Sequence, residues 1–540
     1  MFLTQNLKAA ILIAALVTFS STPFARGAET GGAIVGIVKN KSGEPVAGAT
    51  VKVTHVDRGL TVTVFSRAQG RYTATNLPAG KYTVQGLGGG FQGVYADPKG
   101  AVEVGDSQTV TADLALTTQQ DFREAMTTAL LAGRMPEGDG KTLIVSLCTD
   151  CHPHGLYEIV SRRMDRDDWM AVVEKMRSRP YGITRSLQIP DEDRDVVVDY
   201  LAKQFGPASP PLDTSKLPDT WVTGPAANSV FTEFEIPAGA SAHDVAVDSK
   251  GIGWVSEGGY GVIGRYDPNS YTYSRFPLPG GKSSATAIAV DGQDRVWVSD
   301  GRNNRLVQFD PRTETFTSYD LPVPPGGRAN ANVIRFHPNG TVWMTIISAN
   351  RIMRLDPAMK KVDTWLVPAG VAAKTNVNPY GMAIAPNGMI WFAERRSDKV
   401  AQIEPRTGEI TEYDIPTKGA VLRRMAADVD GNLWFGEFGG VGKLAMIDYR
   451  TAEITEYSLP TKYSGGYSVD VDRTRNLIWV NEMMADQIAR FDPRTKTFVE
   501  YHIPSHYSSV RRIAVDPSRP SRVWYTAFYL DKVGYLDVLE

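Results

Sequence analysis

From Ser229 to Glu540 the chain repeats one unit with a period of about 40 residues. The unit is an apolar strand, a turn of the Asp or Pro-Asn-Gly type, a strand carrying tryptophan, a third strand ending near Asp-Pro-Arg-Thr, and a fourth ending in proline. Its markers are Trp254, Trp297, Trp343, Trp391, Trp434, Trp479 and Trp524. Such a unit cannot bury its own apolar faces, so neighbours must stack. Four strands per period then predict a β-propeller, and the markers count seven blades. The last unit stops before its fourth strand. Phe231 to Pro237 reads like Thr411 to Pro416 and is expected to supply that strand, closing the ring.

Residues 31–118 alternate apolar and polar side chains between turns. Ala33–Val38, Thr50–Thr54, Leu60–Phe65, Gly70–Thr75 and Lys81–Gln85 read as strands. Gly36-Ile37-Val38, the run from Gly43 to Val51, Gly70-Arg71-Tyr72 and the run from Leu77 to Tyr82 resemble the carboxypeptidase regulatory-like domain. That resemblance implies a small β-sandwich acting as an accessory or adhesive module. Its one histidine, His55, is expected on the surface of a strand.

Both cysteines of the chain lie in the run Cys148-Thr149-Asp150-Cys151-His152. A disulfide or a thioredoxin-type pair does not need a histidine next to the second cysteine, whereas covalent haem attachment does. Each thiol can add to one haem vinyl group, leaving His152 as proximal ligand to iron. A bare redox pair, or structural zinc using His154, is the competing reading. The surrounding residues 119–207 take a helical period. Leu156, Ile159 and Val160 share one face, and Trp169, Val172, Val173 and Met176 another, with Asp167 as N-cap. Pro190 opens a segment carrying Val197, Leu201 and Phe205. Cys-x-x-Cys-His, then Trp169 and Met176, then Tyr200-Leu201 resemble small cytochrome c domains. That resemblance implies one covalent haem c with Met176 as distal ligand; Met164, Met170 and an open distal side are alternatives. Residues 208–228, rich in Pro and Ser, read as a linker.

Each propeller repeat opens on a hairpin whose ends bring two positions together. The first set is His243, Thr286, Asn332, Tyr380, Arg423, Tyr467 and Arg511. The second is Glu257, Asp300, Ile346, Glu394, Glu437, Glu482 and Ala527. If the inner strands line the channel, its mouth carries five carboxylates facing His, Tyr and Arg, a site for a polar ligand or a divalent cation. The competing reading pairs these groups within the hairpins. Pro379-Tyr380-Gly381-Met382, Pro386-Asn387-Gly388 and Trp391-Phe392-Ala393-Glu394 resemble virginiamycin B (streptogramin) lyase propellers. That family's reaction needs magnesium, a general-base His preceded two residues earlier by a carboxylate, and a Glu after the following Trp. His243 and Glu257 match the last two. Ser241 and Thr286 stand where a metal carboxylate and a second His are required.

Lys8, the apolar stretch Ala9–Phe19 and the small residues near Ala25–Ala28 read as a signal peptide over residues 1–28, implying a periplasmic or secreted protein. With 58 Lys and Arg against 60 Asp and Glu, nothing in the charge calls for nucleic acid. No later stretch is long enough for a membrane helix. The sequence therefore predicts a multidomain, mainly β chain: an N-terminal β-sandwich, a small all-α cytochrome c domain, and a C-terminal seven-bladed β-propeller over 229–540. Its leading functional expectation is periplasmic electron transfer, or an oxidoreductase component, with a redox partner protein or a small-molecule ligand. A streptogramin-type lyase with an accessory cytochrome is the second, and a carbohydrate- or protein-binding module the third.

Overall fold

The computed structural model describes residues 31–89, 91–94, 101–119, 126–149, 152–178, 189–213, 220–325 and 327–539. The signal-peptide segment and Cys151 lie outside the described residues.

Six four-stranded sheets follow one another from Ala242 to His502, each strand paired antiparallel with the next. The seventh combines Val510–Val515, Arg522–Ala527 and Lys532–Val538 with Ser229–Glu235 from the start of the region. Ser229–Glu235 closes the ring as expected. All seven marker tryptophans are buried. Four of them donate from Nε1 to the carboxylate of the turn that precedes them: Trp254 to Asp248 (3.0 Å), Trp297 to Asp291 (2.8 Å), Trp434 to Asp428 (2.9 Å) and Trp524 to Asp516 (3.1 Å). Trp343 donates to Thr341 Oγ1 at 3.0 Å, while Nε1 of Trp391 and of Trp479 has no partner among the described residues; what all seven share is the burial of the large ring.

Every inner strand carries an irregularity at the same place. In the fifth blade Leu422 pairs with Glu437 but Met425 pairs with Phe435, so one residue is extra; the other six blades shift likewise. A bulge of this kind breaks the alternation of side chains. It lets two consecutive residues, such as Arg423 and Arg424, reach toward the channel axis.

The N-terminal region is a two-sheet sandwich. Gly32–Lys39 pairs with Arg71–Leu77 and Thr109–Thr111, while Thr50–His55 lies between Leu60–Phe65 and Gly80–Gly88. Its core contains Ile34, Val51, Val53, Val62, Tyr72, Tyr82 and Val84. His55 is a correction to the surface expectation. It is buried, edge-on to Tyr82 at 4.9 Å, and burial lowers its pKa. A Cβ at position 80 would lie 2.2 Å from its Nε2, so Gly80 is what makes room for the ring.

Between sandwich and propeller lie short helices: Thr128–Arg134, Asp139–Leu143 running into a π-helical turn Ile144–Cys148, Leu156–Val160, Arg166–Ser178 and Asp191–Gln204. Trp169 and Val173 are buried with Val197, Val198 and Leu201, as the periodicity implied. The cap of Arg166–Ser178 is Asp165 rather than Asp167, since Asp165 Oδ1 accepts from the Asp168 amide at 2.9 Å. The expected linker is only partly loose in character: the Val222 amide bonds to the Gly48 carbonyl at 2.8 Å, and Trp221 packs over Gly88 and Gly89.

Candidate functional site

The helical segment and one end of the propeller channel share a single apolar core. Leu156, Val160, Trp169, Leu201 and Phe205 pack in one cluster with Ile347, Tyr380, Phe438, Tyr467, Met483 and Met484 of the propeller. Polar contacts fix the same contact surface. The Gly440 amide donates to Ser146 Oγ at 2.8 Å, and buried Lys141, ion-paired with Glu137 at 2.6 Å, sits 4.8 Å from the centre of the Tyr463 ring. The helices therefore cover the channel end at which the first set of repeat residues emerges.

His154 enters this surface from the loop after Cys148. It stands edge-on to Tyr507 and Tyr529 at 5.4 and 6.0 Å, and neither ring nitrogen has a hydrogen-bond partner among the described residues. Burial lowers its pKa, opposed by Asp486. Just before it, the His152 amide donates to the Cys148 carbonyl at 2.9 Å. Cys148 is half-buried against the shared core, along with Met164 and Met170, and His152 is exposed. Met176 lies on the face of Trp169 and Val173 and is half-buried, but it does not pack in that core. A Cβ at position 155 would meet the His152 Cβ at 2.9 Å, so Gly155 allows the chain to turn beneath the imidazole. One thiol and one imidazole on a single turn beside an apolar wall are a donor set suited to a covalent haem c. The second thiol, Cys151, lies outside the described residues.

Beneath the helices three residues of the first set, Tyr380, Arg423 and Tyr467, come together, while Thr286 bonds to Asn330. The Tyr380 and Tyr467 hydroxyls are hydrogen-bonded to each other, and both rings are buried. The Arg423 guanidinium lies over Tyr467, Phe438 and Tyr380 at 4.6, 4.4 and 5.5 Å. Burial pushes the Tyr380 hydroxyl up, yet Arg424 and Arg423 together hold it below its ordinary value. Burial and the Tyr380 partner push Tyr467 up to about 12. Arg511 lies 4.3 Å from the Phe528 ring, and His243 stands 5.9 Å from the same ring.

The second set behaves differently, and the five-carboxylate mouth is a correction. Glu257 turns into its own blade, taking Arg275 at 2.5 Å and the Tyr273 hydroxyl at 2.9 Å. Asp300 pairs with Arg305 (3.0 Å) and Asn303 (2.8 Å). Glu394, Glu437 and Glu482 lie against Glu412, Glu456 and Glu500 of their fourth strands, and all three have raised pKa values. Glu257 and Asp300 are thus paired within their own blades, whereas Glu394, Glu437 and Glu482 face a like carboxyl group on the fourth strand and are not paired within the hairpin. Among the described residues no three His, Cys, Asp or Glu side chains form a metal-binding group.

His243 likewise does not meet Glu257. Its Nδ1 lies 2.8 Å from Asp244 Oδ1, and the same carboxylate oxygen accepts from Arg424 at 2.7 Å. Burial lowers the His243 pKa; Asp244 opposes it. Despite its burial, Asp244 is held down to about 2, chiefly by Arg424 and His243. Asp244, Arg424 and Arg512 form a second inner ring, one residue beyond His243, Arg423 and Arg511. Sequence reasoning missed it because a bulge leaves no signature in residue type.

Comparison with known proteins accounts for two of the three regions. Residues 271–539 match the virginiamycin B lyase family. Residues 33–117 match the carboxypeptidase regulatory-like domain. No curated protein matches the chain. Virginiamycin B lyase from Staphylococcus aureus is similar in structure, with 22% identity, a TM-score of 0.51, and coverage of 57% of this chain and 99% of that one. A streptogramin B lyase structure shows 23% identity, a TM-score of 0.52, and coverage of 58% and 100%. A catalytically inactive histidine-to-alanine variant of the S. aureus enzyme with quinupristin gives 21% identity, a TM-score of 0.50, and coverage of 57% and 99%. Identities this low speak for the propeller fold. The helical segment lies between the two matched regions.

Proposed function

We propose that this chain is an exported c-type cytochrome in which the haem-bearing helices close one end of a lyase-like propeller, and that it serves periplasmic electron transfer. The observation that carries this reading is the shared apolar core. Cys148 packs in the same cluster as Tyr380 and Tyr467, so the attachment turn and the channel end form one unit. Cys148 and Cys151 would hold the macrocycle and His152 would ligate iron; for the distal side Met164 and Met170 join Met176 as candidates. Bound there, haem supplies one-electron transfer. The chain's own residues exclude water with Leu156, Trp169 and Phe438, and they place a hydrogen-bonded tyrosine pair among arginines at the channel end. Protein exported from a host competent in cytochrome c maturation is expected to show a sharp α-band in its reduced-minus-oxidised spectrum that survives denaturation. If Cys148→Ala retains the full haem content of the parent, covalent attachment at this turn is wrong.

The second reading is a lyase. The family match speaks for it directly, as does the fourteen-residue spacing of His243 and Glu257. Against it stand Ser241 and Thr286 at the required positions, Glu257 committed to Arg275, His243 tied to Asp244, and helices over the channel end. Incubation with quinupristin and magnesium decides between them. No opening of the lactone is expected. Magnesium-dependent opening that disappears in His243→Ala, with haem content intact, would establish the lyase instead.

A further inference from the structure

At the end of the channel away from the helices, the inner strands of five blades surround a cavity of about 410 Å³. Alanines at 246, 289 and 514 keep it open, and Arg335, Arg512 and Asp470 project into its wall. The charges there do not cancel. Arg335 makes no ion pair among the described residues; its Nη1 and Nη2 donate to the carbonyls of Ile334 and Met425, each at 3.0 Å. Arg512 donates to the Ile288 carbonyl at 2.6 Å and is ion-paired at 3.6 Å with Asp244 Oδ2, a carboxylate it shares with Arg424. Asp244 already serves Arg424 and His243 through its other oxygen. The cavity's own carboxylates are occupied as well. Asp470 accepts the Val471 and Val515 amides at 2.9 and 2.8 Å, and Asp516 holds Trp524, Ser518 and the Arg519 amide. Arg473 adds a third positive charge at the exposed rim.

A guanidinium taken from water without a counter-ion is costly, and a bound anion offsets that cost. Burial, then the neighbouring Arg512, pushes Arg335 down to about 9 against the pull of Asp470; burial lowers Arg512 as well, opposed by Asp244. Guanidinium groups keep their charge in proteins, so two like charges share one water-accessible chamber. Guanidinium forks match the planar or tetrahedral arrays of carboxylate and phosphate oxygens. From this geometry we infer that the cavity is a binding site for a small oxyanion, gripped by Arg335 and Arg512. The site lies at the opposite end of the channel from the haem turn and does not depend on the function proposed above.

Thermal melts of the full chain test the inference, at fixed pH and at ionic strength held constant with chloride. Inorganic phosphate and succinate are the two probes. A saturable rise in Tm with phosphate alone assigns the site to an inorganic oxyanion, and a rise with succinate assigns it to a carboxylate. Binding at about 100 times Kd shifts the folding equilibrium roughly 100-fold. Arg335→Met is expected to abolish the response while raising the Tm of the anion-free protein. Arg335→Lys keeps the charge but loses the fork, and should weaken binding about tenfold. It serves as the test variant if the methionine protein does not fold, alongside equilibrium dialysis of phosphate on the unaltered chain. No saturable response to either anion, or an unchanged response in both Arg335 variants, overturns the proposal.

Discussion

Glu394 and Glu437 are carboxyl groups held in the wrong charge state for neutral water. Each is fully buried, and burial first, then a neighbouring fourth-strand glutamate, raises its pKa to about 8 from an ordinary value of 4.5. In the first blade the equivalent Glu257 meets Arg275 instead, and is a simple ion pair. The difference has a measurable consequence. The folded chain keeps protons on Glu394 and Glu437 that the unfolded chain has released. Their contribution to stability is fully present below about pH 4.5 and is lost as pH rises through about 8. Urea melts across pH 5 to 9 should show stability falling over that window. Glu437→Gln should flatten the slope and stabilise the protein at pH 8.5 by roughly 1–3 kcal/mol. An unchanged slope in this variant would mean that Glu437 is ionised in the folded state. Sequence spacing placed these residues correctly along the strand. It could not say which way they turn, because the deciding partners, Glu412 and Glu456, lie about 20 residues further on; they recur at one place in the fourth strands, but spacing alone does not show that they meet the second strand.

The blade hairpin depends on one buried carboxylate. Asp428 accepts the Asp430 and Asn432 amides through Oδ1, each at 2.9 Å, and the Trp434 indole through Oδ2. Removing it strands four donors, these three and the Asn432 side-chain amide, which reaches Oδ2 at 3.3 Å. Asp428→Ala should therefore cost about 2–4 kcal/mol, and Asp428→Asn less, read as a shift in the urea midpoint at constant m-value. A loss below about 0.5 kcal/mol for alanine would show that water replaces the carboxylate there. At this scale the sequence was most informative. The tryptophan recurs in every blade and the turn aspartate bonds it in four of them, and the tryptophans alone set the repeat period. The bulge one strand inward was invisible, since it changes register without changing composition. With it went Asp244, Arg424 and Arg512, and hence the way the channel charges are distributed.

At the scale of the whole molecule, one strand does two jobs. Ser229–Glu235 pairs on one side with Lys532–Val538, completing the last blade, and on the other with Leu60–Phe65 of the sandwich. Sandwich and last blade are thus one continuous sheet. The sequence showed the first pairing through its likeness to another blade. The second joins strands some 170 residues apart, and nothing in Leu60–Phe65 marks which edge it uses. The docking of the helices on the channel was hidden for the same reason, as Phe438, Met483 and Met484 read as ordinary blade residues. The shared strand is pinned by Phe231, fully buried with Phe65 of the sandwich and Tyr525 of the last blade each 6.4 Å away, ring centre to ring centre. Continuous pairing across that ring makes the two regions unfold together, so calorimetry of the unaltered chain should show them in one transition. Phe231→Ala leaves a cavity on both sides of the strand and should cost about 3–5 kcal/mol. Because the ring is what both regions share, the variant should also split the transition, with the sandwich melting first. Two resolved transitions in the unaltered protein would show that the shared strand does not couple the regions, and a single one merely shifted in Phe231→Ala would show that hydrogen bonding along the strand, and not this ring, couples sandwich to propeller.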